Sequence, residues 1–271
     1  MITPDGVELA VQVHGPEDAP PILFLHEFGG DHRSWAPQVA HFADQYRCVT
    51  YDARGYPPSA VPTDPAAYSQ DHAVADAVAV LDDLGIERAV VVGNSMGGFA
   101  TLHLGLRHPG RCVALVVAGC GYGAPPEQTE AFRADALALA DAYLRDGSAA
   151  VAADYGNRAS RQPLRRRDPA AHDEHLRILA EHNPTGAALT MRGVQAARPS
   201  IYTLRDELAT MTVPTLLVVG DTDRDALDAN LVLAATLPDA GLAVLPRTGH
   251  LTNLELPEVF NGLVADVLPS A

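Results

Sequence analysis

Lysine is absent from this 271-residue chain. All 19 basic side chains are arginines, set against 34 acids, for a formal net charge of −15. So acidic a chain repels polyanions, and neither nucleic acid nor an anionic membrane is an expected partner. Cysteine is scarce as well. Cys48, Cys112 and Cys120 show no metal-ligand spacing, and the first two fall inside apolar, strand-like runs; they read as reduced, buried thiols of a cytoplasmic protein. The 11 histidines form no H-x-x-x-H or H-x-H pair, so neither a metal site nor another cofactor is expected. No apolar run approaches the ~18 residues of a membrane span. The polar opening Met1-Ile2-Thr3-Pro4-Asp5-Gly6 does not look like a signal peptide.

What is present is a regular rhythm. Hydrophobic residues make up 47% of the chain, enough for a large core. Val7–His14 alternates like a strand. Continuous apolar runs at Ile22–His26, Cys48–Asp52, Ala89–Gly93, Val113–Ala118, Thr215–Gly220 and Leu242–Leu245 read as buried strands. Between them lie helical stretches, among them Asp71–Leu84, with Val74, Val78 and Leu81 on one face, and an amphipathic run from Phe99 to His108. Pro257–Leu268 reads as a closing helix. Strands alternating with helices, joined by connections too long for hairpins, predict an α/β fold with a mostly parallel sheet covered on both faces.

The rhythm breaks once. Between Gly121 and Ser200 the chain turns Ala-rich, with ten arginines against ten acids, whereas the remainder has nine against twenty-four. Residues 121–208 therefore read as a helical cap inserted between a first core segment, 1–120, and a second, 209–271. A cap in that position would cover the sheet's C-terminal edge, where open α/β sheets bind ligands. The run Arg165-Arg166-Arg167 in a charge-balanced segment reads as a solvated helix face.

The chemistry is concentrated at Val90-Val91-Val92-Gly93-Asn94-Ser95-Met96-Gly97-Gly98. A strand ends in G-x-S-x-G and a helix follows, the context of a nucleophile elbow. Only small residues fit at Gly93 and Gly97 in so tight a turn. It lifts the Ser95 hydroxyl clear of the backbone at a helix N-terminus. A serine needs a base, and the base an orienting acid. Both follow in the order Ser, Asp, His: Asp221, Asp223 and Asp225 come just after one strand, and His250 just after the last.

With these residues in view, the chain resembles the α/β-hydrolase superfamily, particularly its small capped bacterial esterases and lactonases. The resemblance spans nearly the whole chain outside Gly121–Ser200, where only the presence of a helical cap matches. It implies that the G-x-x-D turn Gly220-Asp221-Thr222-Asp223 supplies Asp223 as the acid, and that the late Gly249-His250 supplies the base. It implies a structural turn at Asp52-Ala53-Arg54-Gly55, although the usual G-x-S continuation is here Tyr56-Pro57-Pro58-Ser59 and should take a different shape. It also implies an oxyanion hole, in which each preorganised donor is worth roughly 2.7–4 kcal/mol. One donor is the Met96 N–H. The other comes from the loop after Ile22–His26, where H-G-x-G is usual and this chain has His26-Glu27-Phe28-Gly29-Gly30; the matching donor is the Phe28 N–H.

Glu27 is the departure. A carboxylate near a forming oxyanion opposes it unless paired or protonated. Glu27, His26 and Trp35 are therefore carried as possible substrate-facing residues, with a paired or solvated loop carboxylate for Glu27, a structural role for His26 and core packing for Trp35 as the alternatives. The expected activity is hydrolysis of a small-molecule carboxylic ester or lactone through an acyl-enzyme. The alternatives are another bond cleaved on the same fold (C–C hydrolysis, amide hydrolysis or a lyase reaction, with Glu27 involved) or a ligand-binding protein with little turnover.

Overall fold

A computed structural model describes residues 1–269. Seven strands form one sheet in the order β1-β3-β2-β4-β5-β6-β7. They are β1 (Val11–His14), β2 (Pro21–Leu25), β3 (Arg47–Tyr51), β4 (Ala89–Asn94), β5 (Cys112–Ala118), β6 (Thr215–Gly220) and β7 (Ala240–Leu245). Only β1, at the edge, runs antiparallel; every other pairing is parallel. The first strand is shorter than the alternation from Val7 predicts. The Leu9 amide is taken by the Met1 carbonyl and the Ala10 amide by Ser59 Oγ, so the β3 ladder begins only at Val11.

The strand side chains divide between the two faces with the period of two that a pleated strand imposes. Leu23, Leu25, Val91, Leu115, Val117 and Leu217 join the core under α2 (Gln70–Asp83), α3 (Met96–Arg107) and α10 (Arg224–Thr236). Ile22, Phe24, Val90, Val92, Val116 and Val218 point the other way, toward α1 (Ala36–Phe42) and α12 (Pro257–Ala265), which follows the one-turn α11 (Thr252–Glu255). Ser69 caps α2 through its Oγ, which accepts from the His72 amide at 3.1 Å. One expectation changes here. The helix after the elbow is not amphipathic: Met96 through Gly105 are all buried. It is walled by the sheet on one side and by α2 on another, so nearly every face must be apolar or small.

Between β5 and β6 lie α4 (Pro126–Asp146), α5 (Ser148–Tyr155), α6 (Gln162–Arg167), α7 (Pro169–Glu181), α8 (Pro184–Thr190), a π-helical turn at Met191–Gln195, and α9 (Arg205–Leu208). These helices bury Leu139, Tyr143, Tyr155, Leu179, Ala187 and Met191 in a core of their own. Phe28, Tyr56 and Tyr68, from the loops that follow β2 and β3, and Met96, the first residue of α3, join the same cluster. The helical segment is thus seated on the carboxyl edge of the sheet.

Candidate active site

The elbow is a strained turn made possible by two glycines. Ser95 has φ 53° and ψ −111°, a region that L-residues rarely occupy. The turn stays closed because its Ser95 amide donates to the Ala118 carbonyl on the neighbouring strand at 2.8 Å. A side chain at Gly93 would collide with the Gly97 carbonyl and Thr101, and one at Gly97 with the Leu25 carbonyl. Helix α3 can therefore start directly against the ends of β2 and β4, with Ser95 at the junction.

Two more loops reach Ser95 from the far strands. His250 Nε2 lies 2.8 Å from Ser95 Oγ, and His250 Nδ1 lies 2.6 Å from Asp223 Oδ2. Both partners are buried, His250 at 5% and Asp223 at 2% exposure, so water does not compete for the pairing. With Nδ1–H given to Asp223, the Nε2 lone pair faces the serine hydroxyl; the arrangement can take a proton from Ser95 and hold the resulting imidazolium. The three aspartates after β6 separate cleanly. Asp221 accepts the Thr248 amide at 3.3 Å and pins the histidine loop, while Asp225 is exposed in the first turn of α10. Asp223 alone of the three bonds the imidazole. Glu255, which the sequence did not single out, clamps the same loop: its carboxylate accepts the Gly249 amide at 2.8 Å and the Leu251 amide at 3.2 Å. The His250 amide itself donates to the Ser160 carbonyl of the helical segment at 2.9 Å.

Phe28 follows the end of β2. Its ring lies within 6.3 Å of the Tyr56, Tyr143 and Tyr155 rings, and its carbonyl accepts from the Tyr56 hydroxyl at 3.0 Å. Met96 opens α3. Among the described residues, neither the Phe28 nor the Met96 amide donates to a protein acceptor. The chain matches the family described as alpha/beta hydrolase fold over residues 20–257. It belongs to the α/β-hydrolase fold family. It is 30% identical to 3-oxoadipate enol-lactonase 1 of Acinetobacter baylyi over 266 residues, 97% of this chain and 95% of that protein. It is 32% identical to a putative carbamate hydrolase RutD of Caulobacter sp. (strain K31) over 281 residues, 98% and 97% of the two chains. Among solved structures, a hydrolase from Pseudomonas aeruginosa PA01 superposes with a TM-score of 0.85 at 26% identity, covering 100% of this chain and 97% of that one.

Three residues carried as substrate-facing land elsewhere in this α/β-hydrolase. Trp35 is fully buried on the α1/α12 side of the sheet, 5.1 Å from the Phe24 ring and 6.1 Å from Phe260, because its large apolar surface fills the gap between strand and closing helix. His26 has both ring nitrogens committed to backbone: Nε2 accepts the Ala53 amide at 3.0 Å, which leaves Nδ1–H to donate to the Glu27 carbonyl at 2.8 Å. It ties the loop after β2 to the turn after β3. That turn is held by Arg54, buried between Asp76 and Asp5. Glu27 is not among the residues with positive φ, and it does not line the cavity beside Ser95. Its carboxyl is 1% exposed, accepts from Ser34 Oγ at 3.1 Å, and lies 3.7 Å from His175 Nδ1. Burial pushes the Glu27 carboxyl up from the usual carboxylate range and holds the neighbouring His175 imidazole down at about 3.

A cavity of about 270 Å³ opens on Ser95 and His250. Its walls come largely from the helical segment: Tyr122, Leu139, Tyr155, Arg158, Arg161 and Arg198. None of these arginines belongs to the Arg165–Arg167 run, which is exposed to solvent. Asp31, His32 and Asp52 also lie close enough together to hold an ion. Their atoms are committed instead: Asp31 to the Arg33 guanidinium, and Asp52 to the His32 amide and imidazole.

Proposed function

We propose that this protein is a serine hydrolase that cleaves a carboxylic ester or lactone through an acyl-enzyme. The observation that carries the reading is the unbroken chain Asp223–His250–Ser95, at 2.6 and 2.8 Å. In the first step His250 Nε2 takes the Ser95 proton as Oγ attacks the carbonyl carbon. Asp223 holds the imidazole in its Nδ1–H tautomer and stabilises the imidazolium. The Phe28 and Met96 amides, free of protein acceptors, receive the oxyanion. Collapse of the tetrahedral intermediate expels the alkoxide, which His250 protonates. Water, deprotonated by His250, then releases the acid and restores Ser95. Helices α4 to α9 act as the cap that shapes the substrate cavity. The likeness to an enol-lactonase supports the lactone form of the reading. The three thiols are free and buried, which suits a reducing compartment such as the cytoplasm.

A second reading changes only the bond. The carbamate hydrolases among the relatives favour a carbamate, cleaved by the same three side chains with an amine as leaving group. The position of Glu27, outside the cavity, speaks against any variant of the chemistry that uses its carboxylate. One set of measurements separates these readings. A serine-directed phosphonate should label Ser95, and Ser95→Ala should lower kcat for p-nitrophenyl esters by at least a thousandfold; an unlabelled Ser95, or an active Ser95→Ala variant, would end the proposal. Lactone ring opening and ammonia release from carbamates, followed side by side, decide the bond. A ligand-binding protein would turn over none of them.

A further inference from the structure

The cavity beside Ser95 contains positive charge that the protein does not neutralise. Seven arginines elsewhere, at 33, 54, 107, 111, 145, 177 and 192, form ion pairs with carboxylates. Arg158, Arg161, Arg198 and Arg224, which line the cavity, form none among the described residues, and neither do the eight remaining arginines, so burial rather than the lack of a partner sets a cavity arginine apart. Arg161 is the most telling. It is 4% exposed, donates to the Tyr155 hydroxyl at 2.8 Å and to Ser160 Oγ at 3.1 Å, and its buried Nε has no acceptor. Its guanidinium carbon lies 4.2 Å from the centre of the Tyr155 ring, and that of Arg158 lies 4.9 Å from the same ring. Two cations share one aromatic ring with no anion between them. A buried charge is tolerated when it is paired, and removing the partner of such a charge is costly. The pair of guanidiniums therefore has the character of a half-built site.

The acids that share the cavity do not complete it. Asp223 is committed to His250, and Asp135 and Asp225 are exposed at the rim. Glu27 does not line the cavity and forms no ion pair with an arginine, and burial raises its carboxyl above the usual carboxylate range. The location is also fixed. The Ser160 carbonyl accepts the His250 amide, so Arg161 stands one residue from the contact that anchors the base. Ser95 and Arg161 line the same cavity, so a group held by Arg161 shares it with a carbonyl placed on Ser95. Arg198, stacked 3.7 Å from the centre of the Phe99 ring, adds positive potential to the same cavity.

We propose that Arg161 and Arg158 form a carboxylate subsite, and that the substrate is a compact ester or lactone whose acyl part carries a carboxylate. The planar, two-pronged guanidinium matches carboxylate geometry, and the small cavity favours a short acid over a long acyl chain. This specificity rests on Ser95 being the nucleophile, and the test keeps the two apart. Mono-p-nitrophenyl glutarate and p-nitrophenyl valerate differ only in a terminal carboxylate against a methyl group. The wild-type protein should show a kcat/KM at least tenfold higher for the glutarate ester. In Arg161→Gln and in Arg158→Gln that ratio should fall toward one, with Arg161→Lys retaining part of it. Arg158 is only half-buried, so its variant tests the site even if Arg161→Gln fails to fold. Free glutarate, titrated calorimetrically, should bind the wild type and bind Arg161→Gln at least tenfold more weakly. A wild-type ratio at or below one, a ratio unchanged in both variants, or glutarate affinity independent of Arg161 overturns the subsite. If Ser95→Ala still hydrolyses both esters while glutarate binding depends on Arg161, the nucleophile assignment falls and the subsite stands.

Discussion

At position 27 a carboxyl occupies a place where a glycine would leave more room, and its protonation decides what it does. Its surroundings are Ser34, the neutral His175 and the more distant Arg161. An ionised carboxylate there would lie next to the loop that presents the Phe28 amide and would weaken any oxyanion on it. An uncharged one is compatible with the loop, and burial shifts Glu27 in that direction. Glutamine has the shape of a protonated glutamate, so Glu27→Gln should keep kcat/KM within about threefold. The stability consequence has a definite sign. The folded protein retains the Glu27 proton at pH values where the unfolded chain has released it, so burial of Glu27 costs progressively more as pH rises above 4.5. The glutamine variant should therefore gain on the wild type in melting temperature between pH 5 and 8. A loss of activity by orders of magnitude would instead return Glu27 to the chemistry. The sequence exposed the conflict at position 27 but not its resolution, because protonation depends on burial by a helix more than a hundred residues away.

The elements that position the site were legible for a physical reason. Buried parallel strands must be continuously apolar, and the tight turn after β4 needs small residues at both Gly93 and Gly97, so strand and elbow leave a local trace. The His250 loop leaves less. Its shape comes from Glu255, Asp221 and the Ser160 carbonyl, none of which forms a pattern with His250. The contact between the helical segment and this loop makes a sharp test. A Cβ at Gly249 would overlap the Ser160 carbonyl oxygen and come within 2.9 Å of Glu255 Oε1. Gly249→Ala should therefore displace the histidine loop from α5 and α6 and tilt the imidazole away from Ser95. Overpacking of this kind costs roughly 1–3 kcal/mol. We expect a retained circular dichroism spectrum, a lowered melting temperature and a kcat/KM at least tenfold below wild type; unchanged kinetics would show that the loop holds His250 without the helical segment.

Across the whole molecule, the helical segment is where sequence and structure diverge most. Its conspicuous arginines, 165 to 167, are exposed, while Arg158, Arg161 and Arg198 enter the cavity from positions that look no different along the chain. Which face of a short helix is buried depends on its neighbours, and an Ala-rich helix records that weakly. The histidines are similar. His103, in α3, and His175 and His182, in the helical segment, are buried with no partner on either ring nitrogen, and burial lowers them to about 4, 3 and 3. The unfolded chain takes up these protons below about pH 6.5, and the folded one refuses them. Each histidine therefore removes stability as pH falls from 6.5 toward 4. Glu27, Glu255 and Asp76, whose carboxyls are raised by burial, act in the opposite direction, so one histidine must be isolated to see the effect. His103 suits this because it lies outside the cavity; its charged neighbours are Arg107, Asp71 and Arg198. In His103→Leu the stability lost between pH 7.5 and pH 5, read from urea denaturation, should be smaller than in the wild type by about 2 kcal/mol, the linkage expected for one proton refused over that range. Parallel pH profiles for the two proteins would mean that His103 is protonated in the folded state.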